Sequence, residues 1–310
     1  MIKTSFREHR ELGEVAWLRD YDAALGEAAA SGKPVLLLFQ EIPGCSTCVN
    51  FGHDVLANPL LAELIEDRFV PVAIYNNHPG RDADVLRRFG EPAWNNPVAY
   101  FLSPSGQKIV PKLANRYDPI GLHGKILTAL ETLGQDVPEY ARLLRGDLLV
   151  EFGFSRQLVF ETPCFWSGET TLAQHPAVLT TEAGWIDGEE VVRVHFDPAL
   201  SDASALKAFA VDEGFAPSAG TSFETDKATQ YYVSSSPFAF LPLSAAQRTR
   251  INLAIPYRDG PERFLSPRQH GWLSSGHLAT WSTKRAYQGD FRRQWKQLRD
   301  AIPTSGASVT

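Results

Sequence analysis

Pro34-Val35-Leu36-Leu37-Leu38-Phe39-Gln40-Glu41-Ile42-Pro43-Gly44-Cys45-Ser46-Thr47-Cys48 is the stretch around which the 310-residue chain is organised. The run Pro34–Gln40 is short, apolar and free of helical period, as a buried strand is. Beyond the cysteines, Val49-Asn50-Phe51-Gly52-His53-Asp54-Val55-Leu56 places apolar groups at helical spacing. The two cysteines therefore fall where a strand hands over to a helix. That puts Cys45 at a helix N-terminus, where the backbone dipole favours a thiolate. A thiolate is the form that attacks disulfides and oxidised sulfur.

Length allows two domains, each with its own core. Hydrophobic residues at 44% and charged residues at 21% fit a globular protein rather than a disordered chain. The formal net charge of −6, with no basic cluster between aromatics, argues against nucleic acid or an acidic membrane as partner. The longest apolar runs are strand-sized, so no membrane span is expected. The opening Met1–Glu8 lacks the apolar region of a signal peptide. Three cysteines, an odd count, suit a reducing, cytoplasmic location, where thiols are more often catalytic or metal-binding than structural.

Working outward, Asp20 is placed to cap a helix over Tyr21–Ala30 that Ser31-Gly32 ends. Asn58-Pro59 interrupts the dithiol helix, and the helical period resumes over Leu60–Ile65. Val70–Tyr75 reads as the next strand, Asp82–Phe89 as a short helix closed by Gly90. Val98–Leu102 and Gln107–Val110 read as a hairpin, and Asp118–Leu133 as a closing helix.

This order, parallel strands first and a late hairpin, resembles the thioredoxin fold over roughly residues 1–135. The resemblance rests on Cys45-Ser46-Thr47-Cys48 at the strand end and on Asn96-Pro97 opening the strand Val98–Leu102. It implies that Pro97 is a cis-proline beside the dithiol, at the substrate site. Leu38 stands where many thioredoxins carry a buried acid; Gln40 and Glu41 are the nearby groups that could serve in proton transfer. Ile42-Pro43-Gly44-Cys45 also resembles a thioredoxin-like selenoprotein group with selenocysteine in place of Cys45, which implies that Cys45 attacks and Cys48 resolves. Two other readings of the pair stay open. Cys45, Cys48 and His53 supply three of the roughly four ligands that zinc takes, and two buried cysteines can also be inert.

Pro138–Arg145 reads as a short connector helix with proline first and Gly146 just past its end, which sets the first domain at 1–148. A strand, Gln157–Glu161, then runs into Thr162-Pro163-Cys164-Phe165-Trp166-Ser167-Gly168-Glu169. Here the third cysteine again meets a helix start. This stretch resembles the Gly-Cys-Phe-Trp-Gly-x-Glu signature of A-type peptide methionine sulfoxide reductases, departing at Pro163 and Ser167. Val178–Gly188 is similar to the family strand ending in Gly-Tyr-x-Gly-Gly, with Trp185 at the substrate-binding tyrosine. Glu190-Val191-Val192-Arg193-Val194-His195-Phe196-Asp197-Pro198 is similar to the family's Glu-Val-Val-x-Val-x-Phe-Asp-Pro. Asp226-Lys227-Ala228-Thr229-Gln230-Tyr231 echoes Asp-x-Gly-Thr-Gln-Tyr.

The resemblance spans roughly residues 155–255 and implies an α/β ferredoxin-like core in a second domain at 149–258. It makes Cys164 the nucleophile and Glu190 the acid. Phe165 and Trp166 would form an apolar cup for the substrate methyl group, with Trp185, Asp226 and Tyr231 completing the substrate site. The residues themselves support an acid at 190. In its strand Glu190 shares a face with Val192, Val194 and Phe196, and a carboxyl at the end of an apolar face keeps its proton near neutrality. His195 alternates onto the opposite face and reads as exposed.

At Ser244 the Ser-Ala-Ala-Gln pattern is a capping box opening a helix through Ala254. A C-terminal extension, 259–310, carries Trp272, Trp281 and Trp295, too much aromatic surface to leave wet, and ends in a stretch, Ser305–Thr310, expected to be disordered.

The expected fold is thus α/β, a thioredoxin fold followed by a ferredoxin-like domain. The expected function is a thiol oxidoreductase that reduces methionine S-sulfoxide at Cys164 and is recycled by Cys45 and Cys48. Sulfoxide reduction leaves a sulfenic acid that condenses with a thiol, and no cysteine follows Cys164. The partners are an oxidised methionine or a protein disulfide and an external thiol reductant, with no cofactor and no metal. A general thiol–disulfide oxidoreductase whose C-terminal half only binds a client is the first alternative, favoured by Pro163, Ser167 and Trp185. A non-catalytic metal-binding or scaffold protein is the second.

Overall fold

In the computed structural model, which describes residues 9–94 and 96–302, the apolar run after Lys33 becomes the central strand β1 (Val35–Gln40), buried at every position. The expectations for Met1–Glu8 and Ser305–Thr310 lie outside the described residues. β1 pairs in parallel with β2 (Val70–Tyr75) and antiparallel with β3 (Val98–Leu102), giving the order β2-β1-β3. All-apolar strands of this kind need cover on both faces. The helices of this unit are α1 (Tyr21–Ser31), α2 (Ser46–Asn50), α3 (Pro59–Arg68), α4 (Arg81–Phe89) and α5 (Pro119–Thr132), of which α1, α3 and α4 pack on the sheet. Leu37, Phe39, Val72, Ile74, Val98 and Tyr100 form one continuous cluster with Ala24 and Ala28 of α1. Asp20, Asn58 and Asp118 cap α1, α3 and α5 through their side chains, and Gly32 ends α1 in the left-handed region.

Two expectations are modified in this first unit. The hairpin return is irregular: Leu102 bridges Lys108 and Ala99 bridges Leu113, with Pro111, which has no N–H to give, between them. The cis peptide bond is Ile42–Pro43, immediately before the dithiol turn, and Asn96–Pro97 is trans. Sequence alone specifies neither isomer.

The chain divides into two units between Val137 and Pro138, not after residue 148. The reason is the helix expected as a connector. It runs on as α6 (Glu139–Glu151), with Gly146 buried inside it instead of ending it. A Cβ on Gly146 would sit 3.3 Å from the Leu179 side chain, so glycine there lets α6 lie close against the second sheet.

That sheet contains β4 (Arg156–Glu161), β5 (Val178–Ile186), β6 (Glu189–Phe196), β7 (Ala216–Pro217) and β8 (Glu224–Thr225), all antiparallel in the order β7-β4-β6-β5-β8. With α7 (Phe165–Leu172) and α8 (Ala203–Asp212) the succession β4-α7-β5-β6-α8-β7 is the βαββαβ unit of a ferredoxin-like fold, as expected. Phe160, Leu172, Ala183, Val192, Val194 and Leu206 form its core. Gly168 lets α7 dock, since a Cβ there would lie 2.8 Å from Thr162 and 3.1 Å from Val192.

The remaining helices of this unit are α9 (Tyr231–Ser234), α10 (Ala245–Tyr257), α11 (Pro267–Ser274), α12 (Leu278–Trp281) and α13 (Phe291–Ala301). The Ser244–Gln247 capping box opens α10 as expected. The extension belongs to this second unit. Trp272 and Trp295 are buried edge to face at 4.9 Å, whereas Trp281 stays 37% exposed. Among the described residues no helix is long and apolar enough to cross a membrane.

Candidate functional site

Cys45 is the N-cap of α2, with extended backbone, and is exposed; Cys48 is fully buried one turn on. Their sulfurs are 3.7 Å apart. The N–H groups of Cys48 and, to a lesser degree, Thr47 point at the Cys45 sulfur and hold its thiol below the ordinary value. Burial pushes the Cys48 thiol up to about 12. The pair is therefore asymmetric: an accessible sulfur that ionises readily and a protected one that holds its proton.

The local sequence builds this arrangement. A Cβ on Gly44 would collide with the Glu41 carbonyl and the Cys48 Cβ, so only glycine permits the tight entry to α2. The buried Glu11 carboxylate accepts the Gly44 N–H at 2.7 Å. Glu11 comes close because Gly52, in a π-helical segment over Phe51–Leu56, lacks the Cβ that would strike the Arg10–Glu11 backbone. Gln40 is not a proton carrier: its buried amide donates to the carbonyls of Glu11 (2.7 Å) and Cys48 (3.0 Å) and so ties the floor of the site.

Glu41 remains as the proton-transfer candidate. A Glu41 oxygen and both sulfurs lie within 4.8 Å of one another. His53 is not in that group; it is exposed and bonds Asp54 at 2.6 Å. The Asn96-Pro97 turn does reach the dithiol, with Asn96 Oδ1 3.6 Å from the Cys45 sulfur. Trp94 is 81% exposed.

The second thiol site is assembled within the ferredoxin-like unit. Cys164, half-buried, is the N-cap of α7. Glu190 is half-buried at the start of β6, and its Oε2 accepts the Phe165 N–H at 2.7 Å. The buried carboxyl is Glu169, at 0% exposure, and burial drives it up to about 7 against the N–H of Ala183 and Gln230 and the Thr229 hydroxyl, which favour its ionised form. Phe165 is buried, with Trp166 and Trp185 ring centroids at 5.7 and 5.1 Å. Tyr231 stacks on Trp166 at 4.4 Å, and the Trp185 indole donates to Asp226 at 2.9 Å. The Trp166 Nε1 is buried and has no partner among the described residues. His195, expected to be exposed, is half-buried against Ser155, and burial holds its imidazole below the ordinary value.

Glu169 is the residue that sequence reasoning passed over as a site member. It was visible as a matched signature position, but nothing in the pattern says that one carboxyl joins α7, β5 and the 229–230 turn. Its folded value lies above its free value, so its contribution to stability is full below about pH 4.5 and is lost as pH rises to about 7. The stability advantage of wild type over Glu169→Gln should therefore shrink between pH 4.5 and 7 by on the order of 3 kcal/mol. Urea midpoints at a series of pH values measure it; a difference independent of pH would contradict the assignment.

An apolar strand, a strand-to-helix turn bearing an exposed and a buried cysteine, and a neighbouring Asn-Pro turn define a thioredoxin-like thiol-oxidoreductase fold. The thioredoxin-like family model matches residues 16–104, and the N-terminal unit is a thioredoxin-like domain. Solved structures similar to the chain include a thioredoxin from Thermus thermophilus, 25% identical over 36% of this chain and 85% of that one, with a TM-score of 0.32. A DsbH oxidoreductase is 17% identical over 38% of this chain and 85% of its own, with a TM-score of 0.31. No curated protein matches the chain.

Proposed function

We propose that the protein is a thiol-dependent reductase of methionine S-sulfoxide, with Cys164 as the reacting sulfur and the Cys45–Cys48 dithiol as its internal reductant. The observation that carries the reading is convergence. Phe165, Trp166, Trp185, Asp226 and Tyr231 come from separate stretches of sequence and join in one chain of ring and hydrogen-bond contacts at the start of α7, where Cys164 is the N-cap and Glu190 accepts the Phe165 N–H.

The Cys164 thiolate attacks the sulfoxide sulfur while Glu190, once protonated, gives its proton to the departing oxygen. The products are the thioether and a Cys164 sulfenic acid. Phe165 and Trp166 hold the methyl group. Cys45 then attacks the sulfenic sulfur, water leaves, and a 45–164 disulfide forms. Cys48 attacks Cys45, releasing the Cys164 thiol, and an external thiol reductant reduces the resulting 45–48 disulfide. Per cycle one sulfoxide and two external thiols become one thioether, one disulfide and one water.

A second reading, a general protein-disulfide reductase with a client-binding C-terminal unit, has one observation in its favour. The Trp185–Asp226 bond ties two expected substrate-site groups to each other. Turnover of the two methionine sulfoxide epimers with a dithiol reductant separates the readings. Consumption of the S-epimer with the R-epimer left intact is expected; no turnover of either, alongside insulin reduction, selects the second.

A further inference from the structure

The nearest carboxylate gives the dithiol a second chemistry. Two thiolates bound to one tetrahedral ion, each about 2.3 Å from it, stand about 3.8 Å apart. The Cys45 and Cys48 sulfurs are 3.7 Å apart without an ion, so the pair already has the bite of a chelate. The Glu41 oxygen within 4.8 Å of both sulfurs belongs to a half-exposed side chain whose Oε2 accepts the Cys45 N–H at 3.4 Å. The fourth position opens on the exposed side of Cys45, where Asn96 Oδ1 lies. Thiolate donors select soft and borderline cations such as zinc over magnesium or calcium.

We propose that the reduced Cys45–Cys48 pair, with Glu41 as third ligand, binds a thiophilic divalent cation of the zinc class, and that the bound ion withdraws the dithiol from thiol exchange. Binding forms two metal–thiolate bonds and one metal–carboxylate bond; each thiol proton goes to solvent and no electrons move. Neither sulfur is then free to attack, and oxidation to the 45–48 disulfide removes both sulfur ligands, so the site exists only in the reduced protein. The binding clause stands on the geometry alone. The withdrawal clause rests on the dithiol being the working reductant.

The test titrates reduced, desalted full-length protein with Zn²⁺ under anaerobic conditions against a chromophoric chelator. Alkylation of Cys45 by iodoacetamide is followed in parallel by peptide mass spectrometry. Wild type should retain about one equivalent per chain; its oxidised form, Cys45→Ser and Cys48→Ser should retain none. Glu41→Gln should hold zinc at least about tenfold more weakly, since even outer-sphere partners contribute that much. Cys45 alkylation should slow at least about tenfold with zinc bound and recover with EDTA.

Equal retention by the reduced and oxidised wild-type protein overturns the site without recourse to any variant. Unchanged affinity in Glu41→Gln overturns the third ligand, and unchanged alkylation with zinc bound overturns the withdrawal. Insulin reduction by the metal-free protein is measured alongside. If it is absent while zinc is retained, the redox reading fails and the metal site stands; if it is present while zinc is not retained, the reverse holds.

Discussion

Cys164→Ser should lose methionine sulfoxide turnover by at least about a thousandfold while insulin reduction by the same protein is unchanged. The magnitude follows from replacing the attacking atom itself, a change that costs orders of magnitude because no neighbour can substitute for a nucleophile. A serine hydroxyl has no accessible ionised form at neutral pH, and an oxygen at this position could not pass through the sulfenic acid to a disulfide. The selectivity follows from where each reaction is built. Disulfide exchange needs Cys45, the N–H groups of Cys48 and Thr47 that ease its charge, and Cys48, all supplied by the N-terminal unit. Steady-state rates on both substrates, with wild type and variant side by side, give the result. Parallel loss of both activities would mean that Cys164 supports the fold and not the chemistry, and full sulfoxide turnover in the variant would end the proposal for the second site.

The thioredoxin-like half was legible because its signals are local. Strand β1 is an unbroken apolar run, the cysteines sit at its end, and Asp20, Asn58 and Asp118 cap the helices from positions where capping residues belong. What the sequence could not give were quantities set by distant neighbours. Glu190 alternates with apolar residues along its strand, so pattern alone places a buried proton there. In the folded unit its carboxylate meets the Phe165 N–H, and the deeply buried acid is Glu169. Gln40 and Glu41 look equivalent in the sequence, yet one is consumed by backbone carbonyls and the other faces the sulfurs. Gly146 reads as a helix stop because glycine most often ends helices; here it is kept for the close approach to Leu179, and that packing moves the domain boundary. The Asp226 and Tyr231 positions carried the weakest echo in the sequence, and they lie against Trp185 and Trp166 because the two-residue strand β8, too short to show a period, pairs with β5 just before Asp226.

Cys48→Ser should accumulate a covalent 45–164 disulfide after one sulfoxide challenge and then stop. The argument rests on which step each sulfur performs. Cys45, exposed and eased by two backbone N–H groups, is able to attack the sulfenic acid without help from Cys48. Release of Cys164 needs a second thiolate next to Cys45, and Cys48, buried and 3.7 Å away, is the thiol in that position. Burial, the main cause of its raised value, protects it from side reactions; it acts as nucleophile toward Cys45 once Cys45 is held in a mixed disulfide beside it. Without it the cycle halts one bond short of turnover. Because both thiols share one chain, condensation is unimolecular, at an effective concentration on the order of millimolar, so the trapped fraction should not fall as the protein is diluted. Non-reducing peptide mapping after the challenge should show the 45–164 linkage, and Cys45→Ser/Cys48→Ser should show none. A linkage that forms only between chains, or that weakens in proportion to dilution, would mean that the dithiol serves other clients and that Cys164 is reset from outside.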